Sequence, residues 1–145
     1  GFFFTPHIHK NTDHTPLPAR FLTPHQTQAS PEAYATVVAG MRLAVTKGTA
    51  TELNRTSYPV CGKTGTAENA GKDHSAFIGF APMNHPKIAI AVYIEHGGFG
   101  ADMAAPIAGL IMEEYLKGRL SPRSLATVKR LERMQTLEKR VSSTK

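Results

Sequence analysis

The sequence predicts an α+β fold in which helices pack on an antiparallel sheet. Apolar residues alternate along Lys87–Glu95 and place one set of side chains on a single face of a strand: Ile88, Ile90, Val92 and Ile94. The preceding Met83–Pro86 has turn residues, and Asp73–Pro82 before it is typical of a second strand. The two segments therefore predict a hairpin, and helical patterns on either side of it supply the covering layer.

The first residues are predicted to be extended and then irregular. Gly1–His9 is apolar from its first residue and rich in aromatic side chains, which favours a strand. Lys10–Thr27 is predicted to be a loop, because Pro16, Pro18 and Pro24 exclude a long helix. A glycine that precedes an extended run is typical of the end of a helix. We therefore expect the chain to be a piece of a longer protein.

A helix is predicted from Ser30 to Gly48. Ser30 is a suitable N-cap, Pro31 is favoured at the first helical position, and Glu32 suits the positive end of the helix dipole. The helix carries a broad apolar face formed by Tyr34, Val37, Val38, Met41, Leu43, Ala44 and Val45. This face predicts packing against the core.

The chemistry is predicted to lie on a strand within Tyr58–Glu68. Lys63 is followed by two hydroxyls, Thr64 and Thr66, and a cation beside hydroxyls is suited to binding a carboxylate. Gly65 between them has no Cβ to hold an extended ligand away from the backbone. An unpaired strand edge also offers N–H and C=O groups to a peptide.

A glycine-rich loop and a helix follow the hairpin. His96–Gly100 lacks the spacing of a dinucleotide-binding loop, so we predict a tight turn that packs a strand against a helix. The helix has Pro106 in its first turn, runs to about Leu116 and stops at Gly118. Its apolar side is suited to covering a sheet and consists of Met103, Ile107, Leu110, Ile111 and Tyr115.

The positive charge belongs to the end of the chain. Residues 119–145 carry eight of the 17 Lys and Arg and two of the 11 Asp and Glu, which accounts for the whole net charge of +6. Residues 1–118 are therefore neutral, which argues against a nucleic-acid-binding domain. Residues 123–141 are predicted to be a basic amphipathic helix or a partly ordered tail, which would be solvated, bind a partner or lie on an anionic surface.

The order of these elements resembles the end of a class B penicillin-binding protein, of the penicillin-binding protein 2 type. Lys-Thr-Gly is one of three motifs shared by these enzymes and serine β-lactamases, and here the strand, the hairpin, the Gly-Gly loop and the last helix follow it. The resemblance covers about residues 1–118 and is most specific over Tyr58–Leu116. It implies that residues 1–118 are the C-terminal portion of a transpeptidase domain and that residues 119–145 are a basic tail.

The resemblance also implies roles for individual residues. Lys63 would lie near the hydroxyl network of the nucleophile and set its electrostatics. Thr64, Gly65 and Thr66 would bind the substrate, with the two hydroxyls on the terminal carboxylate of D-Ala-D-Ala or of a β-lactam. The Thr66 N–H would form one arm of an oxyanion hole. The reaction would be serine acyl transfer, which cross-links peptidoglycan stem peptides.

The other two family motifs are not found at useful positions. Ser-x-Asn does not occur, and Ser-x-x-Lys occurs only at Ser142–Lys145, in a polar terminus. We therefore expect these 145 residues to be inactive alone, with the remainder of the parent chain as their first partner. Stem peptides, β-lactams and cell-wall synthesis proteins are the other expected partners. The resemblance implies a parent anchored in the bacterial cytoplasmic membrane, with this domain on its outer side.

Two alternatives remain open on the sequence. One is a D,D-carboxypeptidase or serine β-lactamase of the same fold. The other is a non-catalytic module that holds a peptide carboxylate with Lys63 and Thr66.

Several other residues carry weaker signals. Cys61 is the only cysteine and is predicted to be a small buried strand residue. His7 and His9 lie on one strand face without further ligands at metal-site spacing, so we predict neither a metal site nor a cofactor. His74 and Glu95 receive no assignment.

Overall fold

The computed structural model describes residues 1–7, 16–55 and 57–142. His9 and the last three residues, which include Lys145, lie outside the described residues. The chain divides into two compact units, Gly1–Val37 and Val38–Lys145. The predicted α+β class is confirmed: the described residues form antiparallel strands and three α-helices.

The first unit contains a two-stranded ribbon. Strand β1 (Phe2–Phe4) pairs antiparallel with strand β2 (Pro24–Gln26), with Phe3 opposite His25. The prediction of a loop over Lys10–Thr27 is therefore wrong at its end. The prolines that exclude a helix do not exclude a short edge strand, because Pro24 is its first residue and no N–H is needed there.

Helix α1 (Pro31–Thr46) begins in the first unit as predicted. The Ser30 hydroxyl accepts a hydrogen bond from the Ala33 N–H at 3.2 Å, which caps the helix. A backbone hydrogen bond and one from Ser30 lower the pKa of Glu32. The expected core-facing surface is wrong for most of the helix: only Val45 is buried, while Val37 and Leu43 are 60% and 54% exposed. Val45, near the C-terminal end, is the residue of α1 that joins the core cluster.

The second unit is built on a three-stranded antiparallel sheet. Strands β3 (Cys61–Ala67), β4 (His74–Ala81) and β5 (Ile88–Ile94) lie in sequence order. The register places Lys63 opposite Ile78 and Thr66 opposite Ser75. The predicted strands and hairpin are confirmed, with each strand shorter than its predicted segment.

The two faces of the sheet have different surroundings. Ile88, Ile90 and Val92 share a face with Phe77 and pack against the core cluster, as their alternation predicts. We call this the core face. The opposite face leaves Ile78 and Tyr93 57% and 60% exposed, and we call it the open face. The open face is therefore exposed around Ile78 and Tyr93, whereas Cys61, on the same face at the start of β3, is fully buried.

Helix α2 (Ala104–Lys117) covers the core face. Small side chains line its contact with the sheet, and Ala104, Ala105 and Ala108 are at most 1% exposed. The helix ends at Gly118, which has a φ of 68° and donates its N–H to the Glu114 carbonyl at 2.7 Å. The predicted glycine stop is therefore confirmed.

Helix α3 (Pro122–Ser142) occupies most of the predicted basic tail. Glu113, 4% exposed on α2, accepts hydrogen bonds from the hydroxyls of Ser121 and Ser124 and from Lys117. Arg130 contacts Glu52 at 3.2 Å. The start of this helix is thus attached to α2 by the hydrogen bonds of Ser121 and Ser124. None of the helices in the described residues is both long and apolar enough to span a bilayer.

Stability is expected to depend on pH through Glu113. Burial raises the pKa of this carboxyl, but hydrogen bonds from Ser124, Lys117 and Ser121 outweigh burial and lower it below the usual 4.5. The ionised form therefore stabilises the fold above about pH 4.5, and the contribution disappears as the pH falls through the lowered pKa. We expect Glu113→Gln to cost about 1–3 kcal/mol in free energy of unfolding at pH 7 and less at pH 3.

Urea denaturation at the two pH values measures this difference. Glu114→Gln is the matched control, because Glu114 is the exposed neighbour on the same helix, and it should change little. An equal cost of Glu113→Gln at both pH values would show that the charge of Glu113 is not what matters.

Candidate functional site

The candidate site lies on the edge of the sheet formed by β3. This strand pairs with β4 on one side, and within residues 1–7, 16–55 and 57–142 no strand pairs with its other side. Lys63 and Gly65 lie on the open face, whereas Thr64 and Thr66 lie on the core face. The ammonium and the hydroxyls therefore leave the strand on opposite faces, and one ligand contacts both only by lying along the free edge.

Lys63 is exposed and its ammonium lies at this edge. Its Nζ donates a hydrogen bond to the carbonyl of Thr64 at 2.7 Å. A lysine held by one backbone acceptor keeps two N–H donors for a ligand. The cation is thus available to an anion that approaches Thr64.

The Thr64 hydroxyl has a partner that the sequence did not reveal. Its Oγ1 lies 2.5 Å from Oγ1 of Thr49, in the turn that follows α1. Thr66, two residues further along, is exposed. Of the two predicted hydroxyls, that of Thr66 is exposed and that of Thr64 is hydrogen-bonded to Thr49.

Gly65 is not required by the packing of the described residues. A Cβ at this position would lie 3.4 Å from the Ala76 methyl, an ordinary van der Waals contact, and would touch nothing else within 4 Å. The open face beside Gly65 is therefore clear. This clearance agrees with the prediction that an extended ligand lies flat there.

The loop before α2 supports the strand from the core face. The Ser75 hydroxyl, fully buried opposite Thr66, donates to the Phe99 carbonyl at 2.9 Å and accepts from the Ala104 N–H at 3.0 Å. A Cβ on Gly100 would collide with the backbone of Gly65. The predicted tight turn is confirmed, and the two hydrogen bonds of Ser75 make it a structural residue rather than a nucleophile.

Cys61 and Arg42 fix the start of β3. Arg42 donates to the Val60 carbonyl at 2.9 Å and to the Asn54 side chain at 2.8 Å. Burial raises the pKa of the Cys61 thiol, although the charge of Arg42 opposes the rise. A fully buried thiol with a raised pKa is a poor nucleophile, so the prediction of a buried strand residue is confirmed.

Two histidines lie where β4 begins and where β5 ends, beside the last residues of β3. Nδ1 of His74 accepts the His96 N–H at 3.0 Å, and its ring lies 5.1 Å from the His96 ring and 5.5 Å from that of Tyr93. Glu95 beside them is exposed. His74 therefore acts structurally by closing the loop, a role that the sequence left unassigned. Among the described residues, no three side chains of metal-ligand type gather together.

The arrangement is suited to binding an extended anion. A cation, two hydroxyls and a clear glycine lie within four consecutive residues on a free strand edge. Backbone groups at the edge can pair with a peptide while the side chains hold its carboxylate. The described residues hold no activated serine at this edge, so the arrangement binds rather than attacks.

Comparison with known proteins agrees with this arrangement. The family model described as "Penicillin binding protein transpeptidase domain" matches residues 1–113. The chain belongs to the penicillin-binding protein transpeptidase family. The resemblance found in the sequence is therefore confirmed, and so is the fold.

Two curated relatives of the family carry the name peptidoglycan D,D-transpeptidase. MrdA of Haemophilus influenzae is 36% identical over 80 residues, which covers 44% of this chain and 12% of MrdA. PbpA of Mycobacterium tuberculosis is 40% identical over 70 residues, which covers 41% of this chain and 14% of PbpA. The chain thus spans about an eighth of the length of these penicillin-binding proteins.

Solved structures of penicillin-binding proteins share the fold. PBP2 of Pseudomonas aeruginosa, in complex with WCK 5153, matches with a TM-score of 0.59 and 34% sequence identity. The match covers 77% of this chain and 24% of the PBP2 chain. Penicillin-binding protein A of M. tuberculosis, as an imipenem acyl-enzyme, matches with a TM-score of 0.58 and 32% identity. This match covers 66% of the present chain and 22% of penicillin-binding protein A. PBP2 of Helicobacter pylori, in complex with MreC, matches with a TM-score of 0.51 and 26% identity. This match covers 61% of the present chain and 18% of the H. pylori PBP2 chain.

Sequence reasoning missed three residues that support the Lys63–Thr66 edge in this family member: Arg42, Thr49 and Ser75. Arg42 interrupts an otherwise apolar helical face, which was a usable signal for a buried polar contact. Thr49 and Ser75 carry no local signal, because their partners are distant in sequence.

Gly100→Ala is expected to destabilise the fold. The new Cβ meets backbone atoms of Gly65 and Ala76, which cannot rotate away, so we expect a loss of about 1–3 kcal/mol in free energy of unfolding. Urea denaturation measures this loss. Gly71→Ala is the control, because a Cβ there meets nothing within 4 Å, and equal stability of the two variants would contradict the close approach of Gly100.

Proposed function

We propose that this chain supplies the carboxylate-binding strand of a penicillin-binding peptidoglycan D,D-transpeptidase. The observation that carries the proposal is the free edge of β3, where Lys63, Thr64 and Thr66 surround a glycine that the fold does not need. Membership of the family and the names of the relatives support it. The substrate is a stem peptide that ends in D-Ala-D-Ala, and a β-lactam occupies the same edge.

Each residue of the edge has one role in this proposal. The stem peptide adds along β3 as a further strand and passes over Gly65. The hydroxyls of Thr64 and Thr66 donate hydrogen bonds to the terminal carboxylate, and the Lys63 ammonium offsets the charge of that carboxylate. The Thr66 N–H stabilises the oxyanion that forms during attack on the D-Ala-D-Ala carbonyl.

The covalent steps use a serine outside the Lys63–Thr66 edge. Its Oγ attacks the carbonyl, the peptide C–N bond breaks, and D-alanine leaves with a proton on its nitrogen. An amine of a neighbouring stem peptide then attacks the ester and regenerates the serine. Ser-x-x-Lys occurs among these residues only at Ser142–Lys145, so the serine belongs to a part of the enzyme that these residues do not include.

The setting of the proposed enzyme follows from its substrate. Peptidoglycan lies outside the cytoplasmic membrane, so the parent protein is anchored in that membrane with this domain on the outer side. Cell-wall synthesis proteins are its proposed partners, and the complex of H. pylori PBP2 with MreC supports this class of partner. The rest of the transpeptidase domain is the immediate partner of these residues.

Binding of a carboxylate ligand tests the edge directly. We expect N-acetyl-D-Ala-D-Ala to shift the amide resonances of Thr64 and Thr66 in NMR spectra of the 145-residue chain. Lys63→Ala should weaken binding about tenfold or more, because a charge-assisted hydrogen bond contributes about 1.5–3 kcal/mol. Lys87→Ala is the control, because it removes an exposed lysine that directly precedes β5, the strand at the opposite edge of the sheet. Equal loss of affinity in both variants would reduce the effect to general charge.

The absence of the serine gives a second expectation. Incubation of the 145 residues with benzylpenicillin should leave their intact mass unchanged, because nothing at the edge can open the lactam ring. A mass increase of one drug molecule would contradict the proposal that the nucleophilic serine lies outside these residues. Mapping that adduct to a serine by peptide mass analysis would identify the nucleophile that the proposal assigns elsewhere.

A further inference from the structure

Thr49 contacts the proposed carboxylate-binding hydroxyl from outside the sheet. The two Oγ1 atoms of Thr49 and Thr64 lie 2.5 Å apart, the length of a short O–H···O hydrogen bond. Thr49 is exposed and lies in the turn between α1 and the short helix at Thr51–Arg55. The contact therefore joins the end of α1 to the middle of β3.

The turn holds Thr49 firmly from both sides. A Cβ on Gly48 would lie 2.8 Å from Cα and O of Ala44, so glycine lets the chain fold tightly against the helix. Ala50 is 1% exposed and its N–H donates to the Ala44 carbonyl at 3.1 Å. Residues on both sides of Thr49 are thus fixed, and its hydroxyl meets Thr64 at a defined place.

The chemistry of two paired hydroxyls determines what this contact does. Each hydroxyl has one proton and two acceptor lone pairs, so only one of the two protons lies between the oxygens. If Thr64 gives its proton to Thr49, it has none for a ligand. If Thr49 donates instead, the Thr64 proton is free, and its O–H is polarised by the hydrogen bond it accepts.

We infer that Thr49 is a positioning residue for carboxylate recognition: its hydroxyl donates to Thr64 and so directs the Thr64 proton to the ligand. This inference rests on the proposed function of the Lys63–Thr66 edge. An anionic ligand selects this orientation, because a carboxylate accepts hydrogen bonds and donates none. Thr49 thereby favours acids over neutral ligands of the same shape.

The neighbouring Thr46 offers a matched comparison on the same helix end. Its hydroxyl donates to the carbonyls of Arg42 and Leu43 within the helix, at 3.2 and 3.3 Å, and not to β3. Loss of a hydroxyl at position 46 therefore tests for general effects of the substitution. Loss at position 49 tests the relay to Thr64.

The experiment compares two ligands on four forms of the 145-residue chain. N-acetyl-D-Ala-D-Ala and its C-terminal amide are titrated into the wild type, Thr49→Val, Thr49→Ser and Thr46→Val, with the Thr64 and Thr66 amides followed by NMR. We expect Thr49→Val to bind the acid about fivefold more weakly, which is one hydrogen bond of ~1 kcal/mol converted at 1.4 kcal/mol per tenfold. Thr49→Ser should restore the affinity, Thr46→Val should keep it, and binding of the amide should not change.

The outcomes separate this inference from the proposed function. Unchanged acid binding in Thr49→Val, together with the weaker binding expected above for Lys63→Ala, would overturn the role of Thr49 and leave the carboxylate site intact. Equal weakening of acid and amide by Thr49→Val would reduce Thr49 to a structural residue and overturn the inference. Absence of acid binding in the wild type at millimolar ligand would overturn both.

Discussion

The attachment of the Phe99–Ala104 segment to the core face of the sheet is the constraint on which the rest of the second unit depends. One hydroxyl, that of Ser75, binds both the Phe99 carbonyl and the Ala104 N–H. It ties the loop and the start of α2 to the middle strand. A buried hydroxyl that satisfies two backbone groups at once removes the cost of burying them, so the helix can lie directly on the strands.

The consequences of this attachment reach the free edge. Gly100 rests against the backbone of Gly65, and α2 closes the core face with side chains as small as alanine. Arg42 and Thr49 also hold this part of the chain, at Val60 and Thr64. Strand β3 is therefore held by these contacts in addition to its pairing with β4, and no second strand among the described residues uses the hydrogen-bonding groups of its outer edge.

Much of the fold could be predicted because its signals are local. Alternation along β5, the turn before it, the cap at Ser30 and the stop at Gly118 each follow from a few neighbouring residues. The partner of β1 and the burial of α1 could not be predicted, because both depend on which distant segments meet. The same limit separated the candidate site into two parts: Lys63–Thr66 is visible as a motif, whereas Thr49 meets Thr64 only through the fold.

The basic segment shows how composition can mislead about attachment. Its charge predicts a solvated surface, yet Glu113 and Glu52 supply acids that hold the start and middle of α3. Glu113 is a buried residue of α2, and its lone pairs are filled by two serine hydroxyls and Lys117. Glu114, the next residue, is exposed, so the acidic residue type alone does not reveal which glutamate is the anchor.

Gly100 and Gly65 lie next to each other in the fold, but a side chain at each position would have a different effect. Gly100 is required by the fold, because any Cβ there meets backbone atoms of β3 and β4. Gly65 is not, because a Cβ there makes only an ordinary contact with Ala76. Within the described residues the absent side chain at Gly65 stabilises nothing, and glycine in a strand costs conformational entropy. The proposed ligand of the Lys63–Thr66 edge would occupy the space that this glycine leaves open.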